Sequence, residues 1–226
     1  MLPRIRSVNL ARPREASYAT IGRSAIDKRA ADGPVVVRRL GLDGDEVGDP
    51  KHHGGPDQAV YAYAREDLDW WSAELGADVP DGEFGENLTT EGYDVNAAEL
   101  GERWAIGDAV LEVASVRIPC ATFRGWQATN GYDTRAWQKR FTQAARPGPY
   151  LRVVAEGPLR AGDAIEVLRR PGHGVTVATM FRAITTEPDL LPELLAVDDL
   201  VPRARASAER WVAEHPPMTP RTGPGR

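Results

Sequence analysis

The stretch GDAVLEVASVRIPC, residues 107–120, decides the fold. A Gly-Asp pair suits a tight turn, because both residues tolerate positive φ. The apolar, β-branched run behind it predicts a strand over 109–116, ending just before Cys120. The same pattern returns as GDAIEVL from Gly162, which repeated turn chemistry explains without a duplication. Working outward, short apolar runs predict further strands at 5–9, 35–40, 59–63, 103–106 and 150–155. Between them, 22 glycines and 18 prolines are spread along the chain, which favours many short strands over a helix bundle.

Two helices interrupt this pattern. Over 64–75, Leu68, Trp71 and Leu75 share a face and Gly76 supplies the stop. Over 135–145, Trp137, Phe141 and Ala144 group together and Pro147 ends the run. From about residue 171 the signals turn helical, at 177–185, 189–197 and 202–215. The last of these carries an apolar stripe of Ala204, Ala208, Trp211 and Val212. The expectation is a mainly β body over 1–170, a small three-helix appendage over 171–215 and a disordered tail over 216–226.

Bulk properties narrow the function. A net charge of −5, from 28 basic and 33 acidic residues, argues against a nucleic-acid binder, whose affinity comes from neutralising phosphates. The single cysteine forms no intrachain disulfide and no four-cysteine zinc site. The N-terminal residues lack an apolar core for a secretory signal, and no run approaches the ~20 apolar residues of a membrane span. A cytoplasmic protein with no membrane or nucleic-acid partner is expected.

Standard motifs are missing: no G-x-S-x-G elbow, no phosphate loop with G-K-[ST], no dinucleotide fingerprint and no H-E-x-x-H helix. Three segments remain. Cys120 lies at a strand end, as a buried small residue or as a reactive thiol, with Arg117 three residues before it to favour the thiolate. KHHGGPD, residues 51–57, reads as a turn or as an anion-binding loop. Its adjacent histidines, pointing to opposite faces of an extended chain, make a poor shared metal site. FGENLTTEG, residues 84–92, reads as a loop held by its own side chains or as a polar wall facing a heterocycle.

In order along the chain stand SAIDK at Ser24, GLDGD at Gly41, HGGPDQAVY at His53, FGENLT at Phe84, IGD at Ile106 and RIPC ending at Cys120. This series resembles the MOSC domain, named after the C-terminal part of molybdenum cofactor sulfurase. It is most similar to the YiiM-like branch, which ends in a three-helix extension. The likeness covers about residues 5–170. It implies a distorted, closed β-barrel and a molybdenum–pterin cofactor with Cys120 as metal ligand. It further implies two-electron reduction of N-hydroxylated compounds such as hydroxylaminopurines and amidoximes, fed by a separate flavin or iron–sulfur reductase. The alternatives are a non-redox sulfur or cofactor carrier using Cys120, and an adaptor that binds partners through its last helices.

Under that likeness Arg23, Ser24, Lys28, Asn87, Thr89 and Arg117 are expected at the cofactor. His53, Lys28 and Asp57 are the expected proton donors, with histidine best suited near neutral pH. His52 has no role in the family pattern. Some relatives carry Arg-Pro-Asn where this chain has Gly85, Glu86 and Asn87, so one cationic contact is missing and Glu86 brings the opposite charge.

Overall fold

The computed structural model describes residues 2–50 and 53–216. Lys51, His52 and nearly all of the expected tail lie outside the described residues. The strands are β1 (Arg4–Leu10), β2 (Arg14–Glu15), β3 (Arg23–Ser24), β4 (Arg29–Ala30), β5 (Val35–Arg38), β6 (Gly41–Leu42), β7 (Val60–Ala64), β8 (Leu88–Glu91), β9 (Arg103–Ile106), β10 (Ala109–Val116), β11 (Pro149–Ala155), β12 (Gly157–Leu159) and β13 (Ile165–Arg169). The helices are α1 (Arg65–Leu75), α2 (Ala121–Thr129), α3 (Trp137–Ala144), α4 (Val177–Thr185) and α5 (Pro202–Glu214), with 3-10 segments at Pro56–Gln58 and Pro188–Ala196.

The main sheet has eight strands in the order β13-β9-β10-β11-β7-β8-β1-β4, antiparallel throughout except for the parallel pair β7–β8. β12, β5 and β6 form a second sheet, and β2 pairs with β3. The expected closed barrel is not found. Among the described residues continuous pairing stops at β13, and the bridge Arg4 to Ala164, with backbone hydrogen bonds such as Ile5 N to Asp163 O at 2.8 Å, draws that end toward β1.

The opening stretch behaves as its sequence dictates. β10 is buried along nearly its whole length, as expected of a central strand with covered faces. Its turn at Gly107 has φ +57, and a Cβ there would lie 2.6 Å from the carbonyl oxygen of Pro158.

β8 corrects the loop reading of residues 84–92 over 88–91, while residues 84–87 are the loop held by its own side chains. Its sequence, Leu-Thr-Thr-Glu, has no apolar run, yet all four residues are buried between β7 and β1. Burial is tolerated because the hydroxyls are satisfied: Thr89 Oγ1 donates to Glu86 Oε1 at 2.9 Å and Thr90 Oγ1 to the Tyr63 carbonyl at 3.4 Å. Helix α2 was not anticipated. The expected helix at 189–197 is a 3-10 segment with Pro192 inside it, which denies an α-helical hydrogen bond at that point.

An aromatic cluster fills one side of the body: Trp71, Phe84, Phe123, Trp137 and Phe141 are fully buried. Phe181 of α4 meets Phe141 edge-on at 6.0 Å between ring centroids, so the first helix of the appendage shares this core.

Candidate functional site

The sheet and α2 together place Cys120. β10 ends at Val116, the chain passes Arg117 and Pro119, and Cys120 becomes the residue capping α2, its Sγ accepting from Phe123 N at 3.4 Å. The thiol is partly buried and opens on a cavity of about 460 Å³. Burial pushes the thiol pKa up. A hydrogen bond with His53, the charge of Arg117 and the Phe123 N–H outweigh that and bring it down to about 7.

Arg117 is buried, with its guanidinium 4.4 Å above the Phe123 ring centroid and 5.0 Å from that of Tyr61. It has no ion pair among the described residues, and its Nε is buried without a hydrogen-bond partner. A buried cation without a carboxylate, facing a cavity, is set up for an anion.

KHHGGPD is, from His53 onward, a turn that borders the cavity. Gly54 and Gly55 have φ +85 and +86, and Pro56–Gln58 turns as a 3-10 segment. Gly54 and His53 also line the cavity. A Cβ on Gly54 would lie 3.2 Å from Val47 Cγ2.

The other expected residues separate into two groups. Lys28, Arg23, Ser24 and Asn87 line the cavity with Cys120 and Arg117. Lys28 is nearly fully buried and ion-paired with Asp45; its pKa is lowered by burial, with Asp45 opposing. Arg23 is exposed, while Ser24 Oγ accepts from Ile26 N at 3.2 Å. Asn87 ties three elements: its Oδ1 accepts from Tyr61 N at 3.1 Å, and its Nδ2 donates to Asn9 O at 3.3 Å and Asp45 Oδ2 at 2.9 Å.

Thr89 and Asp57 are not among the lining residues. Thr89 is fully buried between Asn9 and Glu86, and Asp57 pairs with Arg152 at 2.9 Å. Glu86 does not bring its charge to the cavity either. It turns back to accept from Gly82 N at 2.6 Å and Phe84 N at 3.1 Å, and burial raises its carboxyl to about 7. Gly85 forms the wall instead, with φ +76, and a Cβ there would lie 2.8 Å from Ile26 Cγ1. An arginine at that position would not fit this backbone.

Sequence reasoning missed Asp45, Tyr61, Tyr150 and Gln58, all of which line the cavity. Asp45 had a signal, as the last residue of GLDGD. It accepts from Ala11 N at 2.8 Å as well as from Lys28 and Asn87. Among the described residues no cluster of three or more His, Cys, Asp or Glu is arranged to hold a metal ion.

A strand-rich body with a cysteine lining its cavity can now be set beside known proteins. The MOSC domain model matches residues 49–166, more than half of the chain. YiiM of Escherichia coli is 31% identical over 150 residues, 65% of each chain. A protein named "Reductase" from Gibberella moniliformis is 33% identical over 166 residues, 71% of this chain and 28% of that one. The chain thus spans about two thirds of the first and little more than a quarter of the second. The crystal structure of YiiM from Geobacillus stearothermophilus superposes with a TM-score of 0.75 at 22% identity, covering 93% of this chain and 99% of that one. The chain belongs to the MOSC domain family. Within it, the resemblance in sequence and fold is to YiiM, helical extension included.

Proposed function

We propose that this protein holds a molybdenum–pterin cofactor through Cys120 and reduces N-hydroxylated compounds, amidoximes and hydroxylaminopurines being the substrate class. The observation that carries this reading is the Cys120 thiol, lowered to about 7, beside a buried Arg117 that has no ion pair among the described residues, in one cavity. A soft thiolate suits molybdenum already held by the sulfurs of its own cofactor. With no cluster of protein ligands among the described residues, a metal here would bring its other donors with it. Arg117, and Arg23 at the exposed edge, would meet the anionic part of such a group.

When bound, the cofactor supplies the two-electron chemistry. The N–O bond of an amidoxime takes up two electrons and two protons and gives an amidine and water. The electrons come from a separate flavin or iron–sulfur reductase. His53, exposed, lining the cavity and hydrogen-bonded to the thiol, is the residue we assign to carry the proton. Lys28 is held by Asp45 and Asp57 by Arg152, so His53 is the better donor of the three.

The test is molybdenum content after expression in a host that makes the cofactor, with wild type beside Cys120→Ser. Bound molybdenum in the wild type and its loss in the variant are expected; equal content, or none in either, refutes the ligand assignment. Loaded protein given a chemical reductant and an amidoxime should then release amidine. A second reading rests on the same activated, accessible thiol: a carrier of sulfane sulfur. Persulfide on Cys120 without amidine formation would establish that reading instead.

A further inference from the structure

Arg152 stands on β11, outside the cavity, and touches three parts of the molecule. Its guanidinium pairs with Asp57 Oδ1 at 2.9 Å and with the buried Glu112 at 3.2 Å. It also donates to the carbonyl of Asp199 at 3.2 Å, in the turn between the 3-10 segment Pro188–Ala196 and α5. Asp57 is held a second time, its carbonyl accepting from Ser115 Oγ at 3.3 Å. Asp57 lies within the 3-10 segment Pro56–Gln58, which follows directly on the two positive-φ glycines behind His53. Glycines with this freedom do not hold a conformation by themselves; something must fix the segment after them.

We infer that Arg152 is a positioning residue that fastens the His53 segment to the helical extension. The extension thereby steadies the wall beside Cys120 without entering the cavity. The inference goes beyond the proposed function and holds whether Cys120 carries metal or sulfur. Glu112 keeps Arg152 aligned from below and is itself anchored by Arg103 at 2.6 Å. A guanidinium presents several donors in a fixed plane, which is what three separate acceptors require.

The experiment uses the full chain without cofactor, so it is independent of molybdenum. Amide hydrogen exchange and the rate of Cys120 alkylation at one fixed pH are measured in Arg152→Met, Arg152→Lys and Asp57→Asn. In Arg152→Met, exchange at His53, Gln58 and Val197, whose amides bond to the Asp49, Gly55 and Leu194 carbonyls, should rise about tenfold while α1 is unchanged, because a charge-assisted tether on a low-stability segment is lost. Alkylation of Cys120 should change in the same variant. Asp57→Asn should loosen 53–58 but leave Val197 protected. Arg152→Lys should recover most of the protection at 53–58. Should Arg152→Met fail to fold, Asp57→Asn with Arg152→Lys decides. Unchanged exchange and alkylation in Asp57→Asn, or a lysine variant as loose as the methionine one, overturns the inference.

Discussion

Cys120 shows how a residue's chemistry is set by what surrounds it. Burial alone would make it an inert thiol. His53, Arg117 and the Phe123 amide of α2 reverse that. Alkylation of the wild type should therefore reach half its maximal rate near pH 7. In Arg117→Met the midpoint should move toward the ordinary thiol value, with alkylation at pH 7 slowed about tenfold; an unmoved profile would show that Arg117 does not act on the thiol. Glu83 is the opposite case. Burial raises its carboxyl from 4.5 to about 7, against the lowering hydrogen bond from Asn130. The folded state then binds more protons than the unfolded chain between pH 4.5 and 7, so this group's contribution to stability falls as pH rises through that window. Glu83→Gln keeps an acceptor for Asn130 Nδ2, at 2.6 Å, and removes the titration. Relative to wild type, the variant should gain stability between pH 4 and pH 8 in urea unfolding; parallel curves would contradict the sign.

At the scale of elements, β7, β8 and β1 are joined by more than their ladder. Asn87 links Tyr61, Asn9 and Asp45 with one buried side chain. Asn87→Ala leaves those groups unsatisfied and should cost about 2–3 kcal/mol in denaturant unfolding; a loss below experimental error would make Asn87 a cavity residue only. This element also marks the limit of sequence reading. β9, β10 and α4 were legible residue for residue, because an apolar pattern, a Gly-Asp turn or a helical stripe announces each. β8 was not, because its strand character comes from partners distant in sequence. Helix α2 was hidden by a start that uses cysteine as the cap in place of Ser, Thr, Asp or Asn. Most of the cavity wall was legible from the motif order. Tyr150 was not, since it lies outside those motifs and nothing local distinguishes it from a core residue.

For the whole molecule, one buried apolar cluster runs from Ile5 through Ala208, with no gap where the helical signals begin near residue 171. Body and extension should unfold together. Phe181→Ala, which empties the contact with Phe141, should cost about 3–5 kcal/mol. Far-UV circular dichroism and tryptophan fluorescence should still report one transition, and separated midpoints would show two units. The bridge between Arg4 and Ala164 carries this unity into the life of the nascent chain. β1 precedes its partners in the chain: β4 follows within about 20 residues, but β8, on its other side, begins only at Leu88, and the last contact comes at Ala164. During synthesis the edge that β8 will cover waits while roughly 80 residues are added, at roughly 5–20 residues per second. The arginines at positions 4 and 6, alternating with Ile5 and Ser7, are the kind of charge that keeps a waiting strand from pairing with a neighbour's.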